Sequence, residues 1–332
     1  DDGVAGAITG GKYRIDYSKD PTYIFDTCCF KIELATNTAP GSFESSTIGN
    51  LQENTTYNAR VFTLDEASNV SPLSNAAAAI TLISSPTLAG LTIVQLGLDQ
   101  LQISAPSPVN ASVGQTGSLF DNTAGFGGSD SGGLTGVYSY VDSGLVPGTR
   151  YGYRAAYANS AGALSAFSSI KFRYTPAAVP VALAYVASGP YQLQPSWGSN
   201  SNGPDTVYTV ELSTDSFSTL VASSQTNNAF AVFSGLAAHI SYSAQVKAAN
   251  PDGDQTAYIA LGSTGVFYAP PQAPGASATT AAQIDWFWSA GAGNPGAAEH
   301  YASDESGNSG WIAGALAWNS AAVAANTPYA LA

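Results

Sequence analysis

Leu236-Ala-Ala-His-Ile-Ser-Tyr242-Ser-Ala-Gln-Val-Lys-Ala-Ala-Asn250 sets an aliphatic residue six positions before a tyrosine and an alternating stretch after it. The same frame occurs as Leu51…Tyr57, Leu145…Tyr151 and Val323…Tyr329, with the tyrosines 94, 91 and 87 residues apart. A near-constant period of that length marks an array of repeated domains. After the tyrosines, Tyr57, Ala59 and Val61 alternate with Asn58 and Arg60. Tyr151, Tyr153, Ala155 and Tyr157 alternate with Gly152 and Arg154, and Tyr242, Ala244 and Val246 with Ser243, Gln245 and Lys247. Period-two alternation predicts a half-buried antiparallel strand. Between anchor and tyrosine lie turn formers such as Asn54-Thr-Thr56 and Pro147-Gly-Thr149. Each frame therefore reads as a corner entering a strand, its ring in the core and its hydroxyl returned to nearby backbone.

Upstream of each corner the sequence offers a strand with an apolar face: Tyr13, Ile15 and Tyr17; Leu101 and Ile103; Leu193 and Trp197; Ile284, Trp286 and Trp288. Trp197 is followed by the turn Gly198–Gly203 and the alternating stretch Val207–Leu212, whose counterpart in the first repeat is read as Tyr17–Pro21 leading to Tyr23–Asp26. Prolines and small residues cluster at Ser84-Ser-Pro86, Thr175–Pro180 and Ala269–Pro274. These bound four units, 1–84, 85–176, 177–269 and 270–332, joined by short, proline-stiffened linkers that predict a semi-rigid rod.

With the corner frames, Trp197, Trp288 and strands such as Tyr242–Asn250 followed by Pro-Asp-Gly253, the chain resembles tandem fibronectin type III domains of a secreted, bacterial-type surface protein. The resemblance implies an all-β array of immunoglobulin-like sandwiches. It makes Leu51, Tyr57, Leu145, Tyr151, Leu236, Tyr242, Val323, Tyr329, Trp197 and Trp288 structural corner and core residues. It implies a spacer or adhesion role rather than an activity. The second repeat departs from the pattern, with no tryptophan and the Gly-rich insertion Gly125–Gly133.

Composition points the same way. Glycine, proline and tyrosine number 34, 18 and 18, and only 10% of residues are charged. No apolar run approaches the ~20 residues of a membrane-spanning helix, so no membrane span is expected. The localisation is read as extracellular or cell surface; no basic, apolar leader opens the sequence, so for a secreted chain Asp1-Asp2-Gly3 is expected to be a processed end. The net charge of −13 with 10 Lys plus Arg repels phosphate backbones and excludes nucleic acid as a partner.

Candidate chemical groups are few. Cys28 and Cys29 are the only cysteines. If they sit in a strand they point to opposite faces, and an adjacent pair closes only a strained ring. They are expected as free thiols, one buried and one partly exposed, or as candidate intersubunit thiols. His239 falls inside a corner and His300 lies near Glu299 and Asp304, which gives one catalytic or metal candidate set against an exposed loop histidine. No nucleophile-elbow sequence flanks a serine. Asp65-Glu66 and Asp304-Glu305 read as solvated loops rather than opposed catalytic carboxylates. The insertion lacks phosphate-loop spacing, although Phe126 there offers a contact for another subunit. Asn250–Asp254 reads as a hairpin turn rather than a calcium loop. Asn54-Thr-Thr56 and Asn110-Ala-Ser112 match the glycosylation acceptor pattern. The chain reads as non-enzymatic and without cofactor or metal.

Only Ala330-Leu-Ala332 follow Tyr329, so the fourth sandwich is expected to lack its last strands. An unpaired edge there takes a strand either from a continuing chain or from another copy, as in donor-strand complementation. The expected function is a structural subunit of an extracellular filament, sheath or surface layer, with further copies as partners. The alternatives are an adhesin or carbohydrate-binding stalk using Trp311 and Trp318 on surface glycans, and the accessory region of a larger secreted hydrolase.

Overall fold

The computed structural model describes residues 10–36, 38, 41–111, 116–122, 131, 133–304, 307–314, 317–321 and 328. These residues form strands, turns and bends without a helix, arranged in antiparallel ladders. The chain is thus an all-β tandem array of sandwiches. It divides into two compact units, Asp1–Gly144 with Arg150–Arg173, and Leu145–Thr149 with Tyr174–Ala332.

The first unit begins with β1 (Gly11–Ser18), β2 (Ile32–Thr36), β3 (Thr56–Leu64) and β4 (Ala77–Ile80), in the order β2-β1-β3-β4. β5 (Thr92–Gly97), β6 (Gln100–Ser104), β7 (Gly117–Asn122), β8 (Leu134–Thr135), β9 (Ser139–Ser143), β10 (Arg150–Ala158) and β11 (Lys171–Tyr174) follow. They form two sheets, β5-β6-β9 and β11-β10-β7-β8.

The second unit holds a short pair, β12 (Val181–Ala182) with β15 (Trp197–Gly198), beside a three-stranded sheet of β13 (Ala187–Gly189), β14 (Gln192–Leu193) and β18 (Phe233–Ser234). Its four-stranded sheet runs β17-β16-β19-β20, from β16 (Val207–Ser213), β17 (Ala222–Thr226), β19 (Ser241–Ala249) and β20 (Ile259–Gly265). Then come β21 (Gln272–Thr280), β22 (Gln283–Ser289), β23 (Glu299–His300), β24 (Ser303–Asp304), β25 (Gly307–Asn308), β26 (Ile312–Ala313) and β27 (Ala317–Ala321). Their ladders are β21-β22-β27, β23-β26 and β24-β25.

With the short β12-β15 pair set aside, the second and third repeats share one topology: strands one, two and five form one sheet, and strands four, three, six and seven the other. Register fixes where the first repeat falls in that scheme. Tyr13 of β1 lies opposite Thr63, six residues after the corner Tyr57, as Tyr208 of β16 lies opposite Ala248, six after Tyr242. β1 therefore corresponds to the third strand of the scheme. This corrects the sequence alignment that matched Tyr13, Ile15 and Tyr17 to Leu101 and Ile103, which lie on the second strand. Tyr23–Asp26, read as a strand, is irregular backbone. Alternation reports that a strand is half-buried, but only the ladder says which neighbour it has.

The third repeat shows the complete packing. Leu193, Trp197, Phe233 and Leu236 close over Tyr208, Val210 and Leu212 and over Tyr242, Ala244 and Val246 in one buried cluster. Trp197 packs against Tyr208 with ring centroids 5.4 Å apart. Full burial of each leucine, valine or phenylalanine here contributes about 1.5–3 kcal/mol. In the fourth repeat Trp286 and Trp288 pack with Ala302, Ile284 and Trp318.

Candidate functional site

Two of the corner tyrosines, Tyr57 and Tyr242, bond back to the chain five residues upstream. The Ala237 N–H donates to the Tyr242 hydroxyl at 2.9 Å and the Gln52 N–H to the Tyr57 hydroxyl at 3.1 Å. Leu145, Leu236, Trp197, Trp288 and Tyr242 are buried; Leu51, Tyr57 and Tyr151 are half-buried. Val323 and Tyr329 lie outside the described residues. Three residues before each described tyrosine, Asn54, Gly148 and His239 adopt φ of +49°, +60° and +58°. At Gly148 and His239 that left-handed step turns the chain from one sheet into the next, from β9 into β10 and from β18 into β19.

Around these corners the second unit builds a junction from backbone and amide groups. The Gly203 N–H donates to the Pro147 carbonyl at 2.8 Å. Gly148 faces Thr206 so closely that a Cβ there would sit 2.2 Å from the threonine hydroxyl. The Thr175 N–H donates to the Thr149 carbonyl, and the Thr149 N–H to the Thr175 hydroxyl, both at 3.0 Å. The Asn202 amide takes the Ala178 N–H at 2.6 Å and donates to the Ala178 carbonyl at 2.8 Å. Asn294 does the same to Ala269, at 2.8 Å for both bonds. The proline-containing segments are therefore clamped backbone: Thr175, Ala177, Ala178 and Ala269 are all buried.

In the first unit the corresponding pair, Thr55 and Thr81, makes the same two bonds at 3.0 Å. Asn54 is buried there, and its amide donates to the carbonyls of Val109 and Asn110. This corrects its reading as a glycan acceptor, because the nitrogen that would carry the sugar is enclosed. Asn110 is exposed, and the Ser112 of its motif lies outside the described residues.

The second surface is the inner face of the β2-β1-β3-β4 sheet. Tyr13, Ile15, Tyr17, Tyr57, Ala59 and Val61 are all half-buried, whereas their counterparts in the third repeat are enclosed. Tyr17 meets Tyr57 edge-on, with centroids 6.0 Å apart. With Ile48, Leu51 and Ala79 they line an apolar groove of ≈ 210 Å³. Among the described residues before Thr92, this four-stranded sheet is the only one.

The reactive candidates are dispersed. His239 stacks on Tyr268, with centroids 4.1 Å apart. His300 is buried against Trp288 rather than lying in an exposed loop, and neither ring nitrogen has a hydrogen-bond partner. Asp304 accepts from the Ser320 hydroxyl at 2.5 Å and the Trp286 indole N–H at 3.3 Å. Glu305 and Phe126 lie outside the described residues. Among the described residues, no three His, Cys, Asp or Glu side chains converge as metal ligands.

Asn250–Asp254 closes a hairpin: the Asn250 N–H donates to the Asp254 carbonyl and the Asp254 N–H to the Asn250 side chain, each at 3.0 Å. Trp318 lies in the ladder opposite Trp286 and packs on the core. Trp311 is 70% exposed and sits against Tyr301, itself 47% exposed, with centroids 5.4 Å apart. Cys28 and Cys29 are both exposed, with sulfurs 2.8 Å apart. They occupy a turn in which the Cys29 N–H faces the Asp26 carbonyl at 3.4 Å, so strand alternation does not separate them.

No family model matches the sequence, and no curated protein matches it. Among solved structures the chain is similar to the crystal structure of chicken CNTN1 FN1-FN3 domains, at 14% identity and a TM-score of 0.28. The match covers 75% of this chain and 92% of that one.

Proposed function

We propose that the chain is a non-enzymatic structural subunit of an extracellular filament, sheath or surface layer. Its four sandwich units, 1–84, 85–176, 177–269 and 270–332, meet further copies end to end, and strands or a sheet from a neighbouring copy complete the half-covered sandwich. The observation that carries this reading is the apolar face of the β2-β1-β3-β4 sheet, half-exposed where the equivalent positions of the third repeat are enclosed. Apolar faces of this kind mark interaction surfaces. A sheet face whose cover comes from another subunit gives heterologous, open assembly. Within each unit the clamped segments supply another requirement of a structural array, backbone fixed around the corners. Analytical ultracentrifugation and electron microscopy across a concentration series test the reading. Concentration-dependent chains of subunits are expected, and strictly monomeric particles at the highest concentration would refute it.

A second reading rests on Trp311 and Tyr301. Two exposed, tilted rings side by side form a platform on which a sugar ring stacks, which suits an adhesive or carbohydrate-binding stalk. Trp311→Ala is expected to abolish any binding on a glycan array while leaving the far-UV circular dichroism unchanged.

A further inference from the structure

Cys28 and Cys29 lie in the connection between β1 and β2, in a turn rather than a strand. Both are solvent-exposed and their sulfurs are already 2.8 Å apart. Of the two objections to bonding between neighbouring cysteines, opposite side-chain directions and ring strain, the geometry removes the first. We propose that this pair is a reversible modification site that closes to a vicinal disulfide, with small disulfides of the glutathione class or a thiol–disulfide oxidoreductase as the reactant.

The step balances by exchange. One cysteine thiolate attacks a sulfur of the disulfide RSSR, forming a Cys–S–SR bond and releasing RS⁻. The neighbouring cysteine, after losing its proton, attacks the protein sulfur of that mixed disulfide. The Cys28–Cys29 bond forms, the S–SR bond breaks and a second RS⁻ departs. The protein has lost two protons and two electrons, and RSSR has become two RSH. An adjacent partner makes the second step intramolecular, so the mixed disulfide is short-lived.

Strain, the remaining objection, sets the character of the bond. Ordinary disulfides join Cα atoms about 4.4–6.8 Å apart, whereas adjacent Cα atoms across a trans peptide are held at ~3.8 Å. A strained, exposed disulfide is the labile kind, opened by reductants that leave structural disulfides intact. The surrounding loop gives ring closure something to act on. Lys31, two residues on, lies 3.4 Å from the buried Asp16 carboxylate and rests over the rings of Tyr17 and Tyr23 at 4.8 and 4.9 Å. The Asp26 carboxylate accepts the Cys28 N–H at 3.4 Å.

The test is peptide mass spectrometry on the purified full chain, equilibrated in glutathione buffers from fully reduced to fully oxidised and trapped with iodoacetamide. Both cysteines fall in one tryptic peptide, Asp20–Lys31. In oxidised buffer that peptide is expected to lose two hydrogen masses and take up no alkyl group. In a buffer that leaves a structural disulfide of a control protein intact, it should regain two alkylatable thiols. Cys28→Ser and Cys29→Ser should each carry a glutathione adduct where the parent carries none. The proposal is overturned if both thiols stay alkylatable in oxidised buffer, if the parent accumulates the glutathione adduct, or if two chains become cross-linked through this peptide.

Discussion

Tyr242 shows how one side chain ties a corner together. Its ring is in the core and its hydroxyl accepts the Ala237 N–H. Tyr242→Phe removes only the hydroxyl, which also donates to the Ala237 carbonyl at 3.5 Å, and is expected to cost about 1 kcal/mol, whereas Tyr242→Ala also empties the core and should cost about 3–5 kcal/mol. Urea denaturation followed by tryptophan fluorescence reads both. At Asp215 the Thr219 N–H, the Thr219 hydroxyl and the Ser213 hydroxyl together hold the carboxyl down at about 2. A depressed folded value stabilises the fold above the unfolded value of ~3.9, and that contribution is lost as pH falls towards 2. Thermal melts should therefore show the parent losing its advantage over Asp215→Asn between those limits. An advantage constant with pH would contradict the assignment. The tyrosines were legible in the sequence because the corner is local. The Asp215 bonds span only four residues, but nothing in Ser-Thr-Asp-Ser-Phe distinguishes them from an ordinary polar loop.

Among the elements, the least obvious regularity is the hairpin turn eight residues after each described corner tyrosine. Asp65–Asn69, Asn159–Ala163 and Asn250–Asp254 each begin with an Asp or Asn whose N–H donates to the carbonyl four residues on, at 3.2, 3.0 and 3.0 Å. Its side chain accepts the N–H of that same fourth residue, at 2.7, 2.9 and 3.0 Å. The fourth turn position has positive φ at Ser68, Gly162 and Gly253. No position is identical in all three turns, so the spacing from the tyrosine was the available signal, and a search for acidic clusters misses it. Asn250 also donates to the Thr175 carbonyl at 3.0 Å, so one buried amide serves both the turn and the junction. Asn250→Ala is expected to cost about 1–3 kcal/mol by orphaning these groups. Hydrogen exchange should accelerate at Gly253 and Asp254 while the β16–β19 ladder stays protected. Uniform acceleration across the repeat would instead indicate global loss of the sandwich.

For the whole molecule, the prediction concerns the half-buried face of the first sheet. If a neighbouring copy covers it, Ile15→Glu buries a charge at the contact and should weaken association by at least ~2 kcal/mol, roughly thirtyfold in Kd. The subunit's own circular dichroism should stay unchanged, because Ile15 is only half-buried in the subunit itself. Sedimentation equilibrium measures the difference, and equal association by parent and variant would move the contact elsewhere. The sequence by itself determined the period, the corners, the alternation and hence the all-β array, because these depend on residues close along the chain. It could not say that β1 is a third strand, that Cys28 and Cys29 face the same way, or that Asn54 is enclosed. Those facts depend on ladders and loops joining residues tens of positions apart. Only the tertiary structure decided which apolar alternation is enclosed, as in the third repeat, and which is left half-buried, as in the first, because both look the same in sequence.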